Sequence, residues 1–175
     1  MHELTTPELY KALEYARSLD ETEGREILNQ FQADQPVLAQ MVFHLFPMAI
    51  TEQNQEMSHV FMDLCFDIIC VYQHAFGKTP TQSQLSPEWL EKQASLLSTQ
   101  LQTLSKQKGS LQEHFNQQAE QQINQLGLIN FINDSIDEFA AEDKTRKPAI
   151  KITETMLLVV THLFNNIYSH STQGA

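Results

Sequence analysis

The sequence predicts an all-α protein, an antiparallel bundle of about six to eight helices, and three observations carry that reading. Helix start and stop signals recur along the chain, apolar residues repeat at intervals of three and four, and no alternating apolar and polar run reaches strand length. At 175 residues the chain fits one domain, 1–175, with a polar connector near 78–85. A domain of that size buries roughly 70% of the surface of its unfolded chain, enough for an apolar core without disulfides or a structural metal.

The first helix opens at Thr6-Pro7-Glu8, a capping hydroxyl, a proline with preset φ and an acid, and runs to about Leu19 with Leu9, Ala12, Leu13 and Ala16 on one face. Asp20 and Glu23 form the next capping pair, starting a helix through Phe31 with Ile27, Leu28 and Phe31 inward. Pro36 opens a third helix carrying Val37, Leu38, Met41, Val42, Leu45 and Phe46. Pro47, which has no N–H to donate, is expected to kink or end it. From Thr51 to Phe76 the pattern is helical again and more apolar than anywhere else, until Gly77-Lys78-Thr79-Pro80 stops it.

Ser86-Pro87-Glu88 repeats the start signature, and Leu90, Ala94, Leu97, Leu101 and Leu104 then recur at alternating fours and threes, the seam of a helix hairpin or coiled coil. Ser110 with Glu113 reads as a capping box and a fresh start after Gly109. The seam nevertheless stays in phase to Leu126, so the region 87–126 reads either as a hairpin or as one helix of about 40 residues. Gly127 is expected to end that element, with a helix from Leu128 to about Ala141 following. A charged loop from Glu142 to Pro148 then precedes a last helix from about Ile152 to His170.

Charge bounds the function. Lys and Arg number 11 against 22 Asp and Glu, a net charge of −11, which argues against binding nucleic acid through its phosphates and against an anionic membrane surface. Val60 to Tyr72 and Met156 to Phe164 are too short or too interrupted by acids to span a bilayer. The start, Met1-His2-Glu3-Leu4, has no basic stretch leading into an apolar one. Cys65 and Cys70 point about 140° apart on one helix and cannot bridge each other, so reduced thiols and a cytoplasmic location are expected. The glycines are isolated, leaving no dinucleotide fingerprint or P-loop. No Gly-x-Ser-x-Gly elbow occurs, and two cysteines five apart make no zinc knuckle.

Three clusters remain as candidates for chemistry. Glu52, Glu56, His59, Asp63, Asp67, Cys70 and His74 fall within about 80° of arc on the 51–76 helix. Of these, Glu56, His59 and Asp63 are the metal-ligand candidates, since Glu-x-x-His is a step that carboxylate-bridged dimetal bundles project into their cores. None of the other histidines has an acid three residues before it, so such a site would have to borrow Glu154 and His162 from the last helix. The simpler reading is the solvated edge of a buried helix. Met41, Phe43, Phe46, Met48, Met57, Phe61, Met62 and Phe66 could line a lipophilic pocket or could be core. Lys144, Arg146, Lys147 and Lys151 could make a local anion or partner contact or form a surface loop, and the five acids before them, from Asp134 to Asp143, are expected to neutralise them at the end of one helix, with the cations near its C-terminus.

The expectation is therefore a non-enzymatic binding, adaptor or regulatory protein, working through a protein partner or self-association and using no cofactor. A metal-dependent bundle enzyme built on Glu56, His59 and Asp63 is the alternative. An acidic mimic of nucleic acid would need its acids on one face, whereas they are spread over most of the helices.

Overall fold

A computed structural model describes residues 1–89, 91–93, 95, 96, 99 and 125–173, with side chains to His170. Among these residues the fold is an all-α helical bundle, with no strand. Its elements are α1 (Thr6–Ser18), α2 (Glu21–Asp34), α3 (Pro36–Gln40), α4 (Phe46–Thr51), α5 (Gln55–Phe76), α6 (Leu126–Ala141) and α7 (Ile150–Gln173), and a further helical segment starts at residue 87. The heptad seam beyond Trp89, the Gly109-Ser110 break and the choice between hairpin and single helix fall outside the described residues.

Local chemistry sets the helix ends, sometimes one step from where the sequence put them. The α1 cap is Thr5, not Thr6. Its hydroxyl accepts the Glu8 N–H at 3.4 Å while the Glu8 carboxylate accepts the Thr5 N–H at 2.8 Å, and only Thr5 places an acid at the third helical position. Asp20 and Glu23 make the expected box for α2. Gln35, driven out of the helical region by the proline after it, sits at φ −134° and separates α2 from α3.

Pro47 neither ends nor breaks its helix. Residues Met41–Leu45 form a wide π-turn between α3 and α4, in which the Phe46 N–H reaches back to the Met41 carbonyl. The widened turn absorbs the mismatch that the proline ring creates with the preceding turn. Residues 36–51 thus run on as one interrupted rod. The next helix starts later than expected: Thr51 closes α4, and Asn54 caps α5 by accepting the Met57 N–H at 2.9 Å. Glu52 therefore lies in the turn and not on α5. Gly77 ends α5 at φ 90°, a conformation that side-chain-bearing residues rarely adopt.

Gly127, expected to close an element, instead lies in the first turn of α6. A Cβ there would meet Leu9 Cδ2 at 3.4 Å, so the glycine lets α6 approach α1 closely. The α6 entrance is held from the far end of the chain. Glu3 accepts the Gln125 N–H at 2.8 Å and also that of Leu126, the Leu4 N–H donates to Gln125 Oε1 at 2.9 Å, and Gln125 Nε2 donates to the His2 carbonyl at 2.7 Å. Those bonds hold Gln125 at φ 53°.

α5 is the central rod, with α1, α4 and α7 packed against it, and α6 packs on α7. Phe31, Phe61, Ile68, Ile69, Tyr72, Leu157 and Phe164 are fully buried in one continuous cluster. Tyr72 keeps its hydroxyl satisfied inside it by donating to Asn165 Oδ1 on α7.

Candidate binding surface

The polar strip of α5 divides along its length. Glu56, His59, Asp63 and His74 are exposed, Asp67 is half-buried, and Cys70 is fully buried. The strip is therefore not a uniformly wet edge, because α1 lies along its C-terminal half, where the Tyr15 ring packs 4.9 Å from that of His74. Burial raises the Asp67 carboxyl to about 6, with Arg17 opposing and Asp63 adding to the shift. Burial also pushes the Cys70 thiol up to about 12 and the Cys65 thiol well above its ordinary value. Both cysteines are free and neither is a poised nucleophile.

Of the metal-ligand candidates, Glu56 is engaged elsewhere. Glu56 accepts the Arg146 Nε–H at 2.8 Å. Asp63 is raised by partial burial, with His59 opposing. On α7 burial lowers His162 and, together with Asp137, raises Glu154. Among the described residues no three His, Cys, Asp or Glu side chains converge as a metal-binding group.

In the basic run Arg146 has a structural role. Arg146 bonds Glu56, donates to the Phe139 carbonyl at 2.9 Å and to Glu142 at 3.1 Å, and lays its guanidinium 3.7 Å from the centre of the Phe139 ring. It fastens the 3₁₀ segment Lys144–Ala149 to the end of α6 and the start of α5. Of these contacts the one with Glu142 joins the basic run to the acidic one.

Of the eight soft and aromatic residues considered for a pocket, Phe46, Met57 and Phe61 are buried core, and Met41 faces a cavity elsewhere. That cavity, of about 340 Å³, lies where α3, the residues near Gln82 and Trp89, and α7 meet. Val37, Leu38, Met41, Trp89, Leu163 and Ile167 supply its apolar lining. Glu91 also lines it, and the three glutamines at its rim are already used within the fold. Gln35 donates to the Pro80 carbonyl at 2.6 Å, Gln82 accepts the Val37 N–H at 3.3 Å, and Gln93 accepts from Asn166 at 3.1 Å. What the cavity offers a visitor is apolar surface and shape. The Trp89 ring, stacked 5.2 Å from His170, forms one wall.

The cavity opens beside an exposed apolar stripe. Val37 is 56%, Leu45 53% and Met48 69% exposed, and with half-buried Met41 they follow one another at steps of four, four and three along the 36–51 rod. Large apolar groups left outside in a row are the informative departure from a solvated surface. The sequence reading put Val37 and Leu45 among the packed residues of their helix. Trp89, Leu163 and Ile167 were missed as a site because nothing in their spacing announces a meeting of three separate segments.

Compared with known proteins, the chain matches no family model, no curated protein and no solved structure.

Proposed function

We propose that this chain acts by binding rather than catalysis, as a cytoplasmic helical adaptor or regulatory protein whose docking surface is the stripe Val37, Met41, Leu45, Met48 with the adjoining cavity. The observation that carries this reading is their continuity: a mainly apolar hollow, with Glu91 at its rim, runs directly into exposed apolar side chains on the 36–51 rod. Such a surface provides burial and fit, the basis of protein docking through a few anchoring side chains. It supplies no converging acid, base or nucleophile. The net charge of −11 argues for a protein partner over a phosphate backbone, and among the described residues no helix is long and apolar enough to cross a membrane.

Trp89 is the chain's single tryptophan, which makes the test direct. At about 1 μM protein, titration with the apolar dye bis-ANS is expected to show saturable energy transfer from Trp89 at one site. Filling the cavity by Ile167→Phe should weaken that binding about tenfold or more. Non-saturable uptake, or uptake indifferent to Ile167→Phe, would sink the reading. Stoichiometric iron, manganese or zinc in the purified protein, lost on His59→Ala, would replace it with the metal-dependent alternative.

A further inference from the structure

Resting on the docking surface proposed above, we infer that its occupant is a second copy of this chain, bound antiparallel along residues 36–51 so that Met48 of each copy enters the cavity between Val37 and Trp89 of the other.

The first argument is electrostatic. Two copies that each carry −11 repel wherever acids face each other within a Debye length, about 8 Å at physiological salt. The 16 residues from Pro36 to Thr51 contain no Asp, Glu, Lys or Arg, and His44 is their one titratable side chain. On a strongly acidic molecule this rod is a face that a like-charged copy can approach, Glu91 being the acid that lines the adjoining hollow.

The second argument is geometric. A two-fold interface must be self-complementary: if residue i touches j, then j touches i. Laid antiparallel about a dyad near residues 42 and 43, the stripe places Val37 opposite Met48 and Met41 opposite Leu45, so its four members pair among themselves. The cavity lies at the Val37 end and the freest apolar side chain, Met48, lies at the other. Antiparallel docking is the arrangement that brings each Met48 over the partner copy's cavity. A parallel pair would set Met48 against Met48 and leave both hollows unfilled. Methionine is unbranched and flexible, well suited to an irregular hollow, and antiparallel helices also oppose their macrodipoles favourably. One helix-on-helix contact falls short of the roughly 1,200 Å² at which stable interfaces begin, so the dimer is a reversible one.

Sedimentation equilibrium from about 1 to 500 μM is the test, with circular dichroism confirming that each variant is folded; the substituted side chains are exposed. The wild type is expected to pass from monomer to dimer over that range. Met48→Ala should raise the dissociation constant about tenfold or more, because the loss occurs twice per dimer. Val37→Glu and Met48→Lys should each be monomeric alone and form a heterodimer when mixed, since antiparallel docking sets residue 37 against residue 48. A wild type that stays monomeric throughout, a dimer indifferent to Met48, or a charge pair that fails to associate overturns the inference. If the monomer still binds bis-ANS saturably at Trp89, the docking surface itself survives and its occupant is another protein.

Discussion

Asp67 is a carboxyl whose protonation is tied to folding between about pH 4 and 6. Its carboxyl is raised by burial from 3.8 to about 6, so the folded state binds a proton that the unfolded chain has already released. The sign follows: the folded state is favoured by this group below about pH 4, and that advantage is lost as pH rises to about 6. At neutral pH the ionised, half-buried carboxylate destabilises the fold by up to about 3 kcal/mol, less what water screens at its exposed edge. Asp67→Asn should therefore raise the urea midpoint at pH 7.5 and narrow the gap between pH 4.5 and 7.5 relative to wild type. Tyr72 makes the opposite case. Its phenol donates to Asn165 in the core, and Tyr72→Phe should cost about 1–2 kcal/mol in denaturation, because the Asn165 oxygen loses that donor where water cannot reach it.

At the scale of the element, helix ends were legible wherever the signal was local. The Asp20 box, the Pro36 start, the Gly77 stop and the Ser86 cap, which accepts the Trp89 N–H at 3.1 Å, are all readable within four residues. Two starts moved: Thr5 caps α1 in place of Thr6 because Glu8 completes its box, and α5 begins after Asn54, which accepts the Met57 N–H, and not at Thr51. The α6 entrance had no such signal. Its capping carboxylate belongs to Glu3, 122 residues away, and Gln125 supplies the bend through bonds made to residues 2 and 4. Glu3→Ala should cost about 1–2 kcal/mol and lower hydrogen-exchange protection in the first turn of α6 before it touches α7. Gly77→Ala should cost about 1–3 kcal/mol by thermal denaturation. A methyl there would meet no neighbouring atom, so the penalty is purely that of the φ 90° backbone.

For the whole molecule, the bundle was legible and the exposed apolar stripe with its cavity was not. Periodicity reveals which face of a helix is apolar, and composition marked 51–76 as the most apolar segment. It does not reveal whether that face finds a neighbour. Asp67 and Cys70 read as wet because they continue a polar strip, yet α1 covers them. Val37 and Leu45 read as packed because they continue an apolar one, yet they stand in solvent. Both errors arise from the placement of a second helix, which no local pattern encodes. Since α5 is flanked by α1, α4 and α7, its central amides should exchange slowest, near the global unfolding rate, with those of residues 36–51 faster; native-state hydrogen exchange checks this ordering.

The bonds joining residues 2–4 to 125 and 126 impose an order on synthesis. At ~5–20 residues per second, a ribosome delivers Gln125 ~6–24 s after Glu3. Until then the nascent chain carries α1 and α5 without the helices that later cover them, Leu9 still lacking Gly127 beside it. Completion of the bundle is thus a late event, and for those seconds the apolar faces of α1 and α5 that α6 and α7 later cover stay open.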